Sequence, residues 1–367
     1  MGDSAPASTP APSPGAGDTG FSTEQLAQFD EPWAAAFAPG TSIFFVTERA
    51  GSLKWIDIAT KRSGTVSGTP TVDYGGQGGL GDIAFLPAEA DGGLGTRTIY
   101  LSWAEAGTGD TRGAVVGRGR LVCGAGDACR LEGLQVIWRQ PKVTGRGHYS
   151  HRLAISPDGR YLFVASGDRQ KMDPAQDPAS NLGKIVRLNL DGTPADGNAF
   201  GGQAGKAQDV WSWGHRNTLG LAFDGEGRLW NIEHGPAGGD EINLIRKGAN
   251  YGWPVVSEGD HYDGKVIPPH SSRPEFAAPA ISWNPVIAPG DFIIYRGAMF
   301  PAWRGQAIVG GMKPTVLVRV AFEGERGREV ARTPMDRRIR EVVEAPDGSI
   351  LLIEDKAGGR LLRLTPA

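Results

Sequence analysis

One phrase recurs through the 367 residues of this chain and limits what it can become. An apolar residue is followed by Pro or Asp with Gly, then by a run of β-branched and aromatic residues that often closes on an acidic side chain. It appears as FAPGTSIFFVTERAG from Phe37, IAFLPAEADGG…RTIYLSWAEAG from Ile83, and AISPDGRYLFVASGD from Ala154. It returns as AFDGEGRLWNIEHG from Ala222 and EAPDGSILLIEDKAG from Glu344, with a degenerate copy over Tyr295–Lys313. Six copies over about 350 residues give roughly 60 residues per unit, the size of a four-stranded blade with one decorated loop. A lone four-stranded sheet cannot bury both faces, so such units stack radially around a channel. The expected fold is all-β: a six-bladed β-propeller with four-stranded antiparallel blades. The competing architecture, a pair of β-sandwiches, leaves the repeated phrase without a reason. Either the last strand, Arg360–Thr365, or the first ordered one, Gln25–Phe29, is expected to complete a blade begun at the other terminus. Helical spacing is scarce, and short helices are expected only at Thr23–Gln28 and within Asp173–Asn181.

Composition points the same way. The chain exceeds the size at which one ordinary core stops growing, which leaves two domains or one closed repetitive architecture. Fifty-five Gly and 26 Pro favour many short strands over helices. A formal net charge of −3 argues against nucleic acid or an anionic membrane surface as main partner. No apolar run is long enough for a transmembrane segment. Residues 2–20 are small and Pro-rich, as in an unstructured tether, ahead of a domain expected over residues 21–367. No signal-peptide core precedes the tether. The expectation is a periplasmic or otherwise exported protein whose signal, with a lipid anchor as a further option, preceded Gly2. Cys123 and Cys129 flank a five-residue loop. A hairpin disulfide suits an oxidising compartment; a zinc pair is the alternative, though no second ligand pair follows at suitable spacing.

The chemistry concentrates in Trp211–Pro254. This stretch holds Arg216 and Asn217, a Gly235-Pro236 turn, the acidic pair Asp240 and Glu241, and a Gly-rich aromatic exit. Arg216 offers a planar fork of donors for carboxylate or quinone oxygens. The Gly235–Glu241 loop offers carbonyl and carboxylate oxygens, the ligands that calcium takes; many such loops bind only water. Upstream, in GRGHYSHRLAISPDGRYLFVASGDR, His148 and His151 sit just before a strand and Asp168 just after one. His148 can act as general base with Asp168 on its other ring nitrogen. The alternative has one histidine packing against a Trp and the other capping a turn. Gln77 stands among glycines, where backbone can approach a flat ligand, but no phosphate cradle is present. Arg338 and Arg340, two apart, share one face of a strand; with Lys313 they suit a ligand bearing several carboxylates. Charges protecting an edge strand are the alternative, and Arg337 fits that description.

Together these pieces resemble the soluble pyrroloquinoline-quinone (PQQ)-dependent glucose/sorbosone and aldose sugar dehydrogenases. The resemblance runs from about Glu31 to Leu364. It is strongest in SWGHRNTLGLAFD, EHGPAGGDEINLIRKGANYGWP, NLGKIVRLNLDGTPADGNAF and RRIREVVEAPDGSILLIEDKAGGRLLRL. It implies a PQQ- and calcium-dependent enzyme that oxidises aldose sugars at the anomeric carbon. His148 is then the base, Asp168 its orienting partner, and Arg216 the donor to the reacting quinone carbonyl. Gln77 and Asn217 are cofactor contacts, and Lys313, Arg338 and Arg340 clamp its carboxylates. The carbonyls of Gly235 and Pro236 hold the calcium that meets the quinone. The resemblance assigns the Glu241 side chain and the Tyr251 carbonyl to a second calcium.

The chain departs from the pattern in two places. Gly147 stands where glucose-oxidising relatives carry an acidic residue, and Ile281–Gly290 differs from their aromatic wall, leaving Trp283 to stack on a pyranose. A broad aldose range is the expectation. Without a haem-attachment pattern, electrons leave through a separate acceptor; monomer and homodimer both stay open. Two rival readings are a calcium-dependent lactonase and a non-catalytic binding propeller. The first wants metal-binding side chains around an activated water, and the second needs no His148–Asp168 pair.

Overall fold

The computed structural model describes residues 20–90, 94–124 and 128–367. The expected tether therefore lies, except for Gly20, outside the described residues. Each copy of the phrase folds as a hairpin of two largely buried strands. A Pro-Gly or Asp-Gly pair makes the turn at Gly40, Gly159, Gly225 and Gly348, and the degenerate copy turns through a 3₁₀ turn at Pro301–Trp303. Four strands, β2 (Pro32–Phe37), β3 (Ile43–Glu48), β4 (Ser52–Asp57) and β5 (Ser63–Ser67), make the first antiparallel group. The second is β6 (Leu80–Phe85), β7 (Thr96–Ala106), β8 (Thr111–Cys123) and β9 (Cys129–Arg139), joined to the first where β5 and β9 pair in parallel. A short β10 (Val143–Thr144) borders β8. The third comprises β11 (Ser150–Ile155), β12 (Tyr161–Ser166), β13 (Lys184–Asn189) and β14 (Val210–Trp213).

The fourth group is built from β15 (Thr218–Phe223), β16 (Leu229–Glu233), β18 (Asp240–Ile245) and β20 (Ile281–Trp283), with a small ribbon of β17 (Ala237–Gly238) and β19 (Gly259–Asp260) beside it. The fifth is β21 (Pro289–Ile294), β22 (Ala307–Met312), β23 (Thr315–Glu323) and β24 (Arg326–Pro334). The last is β25 (Ile339–Glu344), β26 (Ile350–Glu354), β27 (Gly359–Pro366) and, from the other end of the chain, β1 (Phe21–Phe29). The expected closure is thus made by β1, which pairs antiparallel with β27 from Phe21↔Pro366 to Phe29↔Gly359. Thr23–Gln28 is strand, not helix: a helix of six residues is marginal by itself, while the open edge of β27 offers a complete ladder. The second expected helix is a single 3₁₀ turn, Asp173–Gln176.

The result is a propeller-like all-β fold of four-stranded antiparallel sheets. The first strands lie in cyclic contact: β2 beside β6, then β11, β15, β21, β25 and back to β2. Apolar cores sit between neighbouring sheets; one joins Trp230 and Ile242 of the fourth group to Phe292 and Val318 of the fifth. Each of the six first strands carries a register shift against its second strand, at Pro32/Ala34, Leu80/Ile83, Ser150/Leu153, Thr218/Gly220, Pro289/Asp291 and Ile339/Glu341. Bulges of this kind re-aim side chains. One result is a brace across the middle: Arg152 on β11 donates to Glu341 Oε2 on β25 at 2.7 Å and to the Gly290 carbonyl at 2.9 Å, with its guanidinium 4.2 Å from the Trp33 ring. Cys123 and Cys129 form a disulfide across the facing ends of β8 and β9, which removes the zinc alternative. Residues 125–127 of the loop they flank lie outside the described residues.

Candidate active site

His148 sits one turn before β11 with φ of 47°, and its N–H donates to Gln77 Oε1 at 2.7 Å. Its Nδ1 lies 2.7 Å from Asp168 Oδ1. A carboxylate accepts, so Nδ1 carries the proton and Nε2 keeps a lone pair. Burial is the largest influence on this ring and pushes its pKa down; Asp168 pulls it up, the Arg216 charge adds to the fall, and the net is a lowered value. Asp168 is itself fully buried. Burial alone would raise its pKa, but the bond from His148, the Gln170 N–H (2.8 Å) and Trp253 Nε1–H (2.8 Å) hold it below the usual carboxylate range. His151 does what the packing alternative supposed: it stacks on Trp33 with centroids 4.8 Å apart, and burial then Arg152 push its pKa down to about 3.

Arg216 follows β14 and lies against Trp253 and Tyr262. Its guanidinium is 5.2 Å from the Trp253 ring and 5.8 Å from the Tyr262 ring, donating to the His234 carbonyl (3.1 Å) and Tyr262 Oη (3.3 Å). Its Nε is buried and has no hydrogen-bond partner among the described residues, and no carboxylate there pairs with it. A buried cation with an unused donor fits an anionic or carbonyl oxygen. From behind, Glu233 accepts the Arg216 N–H at 2.7 Å and a bond from His215 Nδ1 at 2.9 Å. Asn217 Oδ1 accepts from Ser150 Oγ at 3.3 Å, which ties Arg216's neighbour to the His148 loop.

Gln77, Asn217, Arg338 and Arg340 line one cavity of about 630 Å³, counted out to its mouth, together with Arg49 and His234. Arg338 and Arg340 share one carboxylate: Asp355 Oδ2 accepts from Arg338 Nε at 2.7 Å and Oδ1 from Arg340 Nε at 2.9 Å. The three together leave one positive charge over for a ligand, and Arg49 lines the same cavity while paired with Glu31 at 3.5 Å. Lys313 is exposed, beside the cavity-lining Met312, and makes no ion pair among the described residues. Sequence reasoning missed Arg49, His234, Asp355 and Trp253. The first three had a signal: each is the residue next after the second strand of a recurring phrase, one place from Asp168's own position. Burial, above all, pushes the His234 pKa down to about 3, and its Nε2–H donates to the Pro289 carbonyl at 2.7 Å.

The expected metal oxygens gather at a second, smaller cavity, where Gly235, Pro236, Glu241 and Tyr251 meet Arg216. The loop is folded by Asp240, whose carboxylate accepts the N–H groups of Gly235 (3.0 Å), Ile287 (2.8 Å) and Ala288 (2.6 Å). Glu241 is buried; burial first, then the charges of Glu233, Glu258 and Asp240, push its pKa well up. A divalent cation would relieve that repulsion, so the donor set fits calcium. The Tyr251 carbonyl accepts from His270 Nε2 at 3.0 Å. Among the described residues no three His, Cys, Asp or Glu side chains converge as metal ligands, so a calcium here depends on main-chain oxygens.

The two departures have structural causes. An added Cβ at Gly147 would lie 2.4 Å from Gln170 Oε1, so the Gln170 side chain fills the place of the acidic residue. Trp283 is not a sugar platform: it is 5% exposed, packs in the core between the fourth and fifth groups and donates to Glu329 Oε2 at 2.8 Å. As the edge strand β20 pairs with β18, its aromatic face is turned into that core.

The relatives of this chain include sugar dehydrogenases. It is 35% identical to the aldose sugar dehydrogenase YliI of Escherichia coli K12 over 347 residues, 92% of this chain and 91% of that one. The crystal structure of the soluble aldose sugar dehydrogenase from Escherichia coli in its apo-form superposes with a TM-score of 0.87 at 34% identity, covering 95% of this chain and 100% of the other. The PQQ-bound aldose sugar dehydrogenase of Streptomyces coelicolor does so at 0.74 and 26% identity, covering 95% and 99%. Residues 29–363 match the glucose/sorbosone dehydrogenase family, and the chain belongs to it.

Proposed function

We propose that this protein oxidises aldose sugars at the anomeric carbon to lactones, using PQQ and calcium, on a six-bladed β-propeller formed by residues 21–367. One observation carries the reading: a histidine whose Nδ1 is tied to a buried carboxylate, and whose Nε2 has no hydrogen-bond partner among the described residues, lies near a buried arginine whose Nε is unused, next to a slot edged with guanidiniums. His148 Nε2 takes the proton of the anomeric hydroxyl, while Asp168 holds the ring's tautomer and direction. Bound in the slot, PQQ would accept the hydride leaving the anomeric carbon, and calcium would polarise its quinone carbonyl. Arg216 aims its free donor at the oxygen on which charge develops. Gln77 fixes the His148 backbone and edges the slot; Asn217, which lines the same slot, contacts the same ligand. Arg338 and Arg340 receive its carboxylates, with Lys313 at the rim. Gly235 and Pro236 carbonyls would hold the catalytic calcium, and Glu241 with the Tyr251 carbonyl a second one. The electrons pass to a separate acceptor. The disulfide supports export, and no helix among the described residues is long and apolar enough to cross a membrane.

The test is reconstitution. With calcium and PQQ added, an aldose should reduce an electron-accepting dye, and each addition alone should not suffice. Lactone hydrolysis without dye reduction would replace this reading by a hydrolase, and silence in both assays by a binding protein.

A further inference from the structure

Arg169 follows Asp168 and is fully buried, yet among the described residues it pairs with no carboxylate. Its three nitrogens each donate to a main-chain carbonyl: Nε to Gly147 at 2.8 Å, Nη1 to Arg112 at 2.7 Å and Nη2 to Gly145 at 2.5 Å. Its guanidinium also lies 3.8 Å from the centre of the Tyr149 ring. Gly145 and Gly147 belong to the segment that delivers His148. The Arg169 N–H donates to the His148 carbonyl at 3.3 Å, and the Gly167 N–H to that of Tyr149 at 3.2 Å. The two segments so joined are strained: His148, Ser150, His151, Arg169, Gln170 and Met172 all have φ between 47° and 60°. Non-glycine residues persist there only where their surroundings over-determine them.

A guanidinium without a counterion is an expensive way to fill a gap. Three charge-assisted bonds offset part of that cost, but a neutral side chain would incur none of it. The charge has a second effect at this position. His148 faces one anion, Asp168, and two cations, Arg169 and Arg216, with neutral His234 nearby. Burial is the largest influence and disfavours the imidazolium; Asp168 favours it, and Arg216, then Arg169, oppose it.

We propose that Arg169 is a positioning residue for His148: it anchors the strained segment through three carbonyls, and its charge counters Asp168 so that His148 meets the sugar as a neutral base. This rests on the role given to His148 above. Two variants test it, Arg169→Met and Arg169→Lys, each read in two ways. In enzyme loaded with PQQ and calcium, Arg169→Met should lower kcat about 10- to 100-fold with KM changed less than about threefold. In the unloaded protein, the His148 imidazole, assigned by its loss in His148→Gln, should titrate at higher pH in Arg169→Met by NMR. Arg169→Lys keeps the charge, so its titration should stay near wild type while kcat falls by less. Unchanged kcat in both variants overturns the positioning role; a fallen kcat with an unmoved titration in Arg169→Met overturns the charge role and keeps the anchoring one. If Arg169→Met does not fold, Arg169→Lys decides: lower kcat at an unchanged thermal midpoint supports the proposal, and full kcat sinks it. Should wild-type enzyme reduce no dye at all, sugar oxidation fails as a reading, and the titration still reports on Arg169.

Discussion

The strands β11 and β12 have two ends, and the two are built differently. At the turn between them, Asp158 accepts from Ser156 Oγ and the Arg160 N–H, and Gly159 takes φ of 71°. The same arrangement recurs where Asp224 accepts from the Glu226 and Arg228 backbone and Trp230 Nε1, and where Asp347 accepts from Ser349. Apart from the Arg363 guanidinium that donates to Asp347 from 16 positions away, every partner there lies within six residues in sequence. At the opposite end Asp168 reaches His148 and Trp253, 20 and 85 positions away, and φ is positive at residues that are not glycine. One end satisfies itself locally. The other depends on loops from other groups and carries the cost of strain, so the first belongs to folding and the second to chemistry.

If that division is right, mutations at the two ends should separate cleanly. The largest effect is expected from His148→Ala: turnover falls by about two to four orders of magnitude, with PQQ affinity, followed by its absorbance on titration, little changed. Near-full turnover would break the comparison at its functional end. In the wild type, the acid limb of kcat/KM should lie below pH 6.5, the ordinary value from which the His148 pKa is lowered. The neutral ring is the active form, so rate is lost as pH falls through that lowered value and is level at neutral pH. A smaller effect is expected from Arg340→Met, which removes one charge-assisted contact worth about 2 kcal/mol. PQQ affinity should drop roughly 30-fold, while kcat at saturating cofactor stays within a few-fold. Smallest is Asp224→Ala, on the far turns: a loss of about 1–2 kcal/mol in stability by denaturant titration, with kcat unchanged. A marked fall in kcat there would show that the two ends are coupled.

The same division explains what was legible. The recurring phrase is the self-contained end, and its Pro-Gly or Asp-Gly turns and runs of β-branched and aromatic residues are local signals; with one degenerate copy they marked the hairpins. The ring's closure was legible as a choice between two segments, and β1 takes the part by pairing with β27. Thr23–Gln28 misled because a short polar run is compatible with a helix until an unpaired edge is available to it. At the site, Arg216, Asn217, His148 and Asp168 stood in phrases with internal character. Asp355 stood in the recurring phrase too, one place after its second strand, but its pairing with two arginines from the preceding strand and the segment just before it could not be read from that place alone. Trp253 was also unreadable: nothing near it in sequence shows that its indole N–H ends on a carboxylate 85 positions back. Trp283 was misassigned since an aromatic residue in a loop-rich stretch has the same appearance whether it faces a sugar or a core.

The pairing of β1 with β27 continues to Gly20, whose carbonyl accepts the Ala367 N–H at 2.8 Å. The chain therefore leaves and re-enters the body at a single point. A short linker between these two residues, with a new opening cut at Gly225 on a solvent-facing turn, would give a circular permutant that keeps every sheet of the parent.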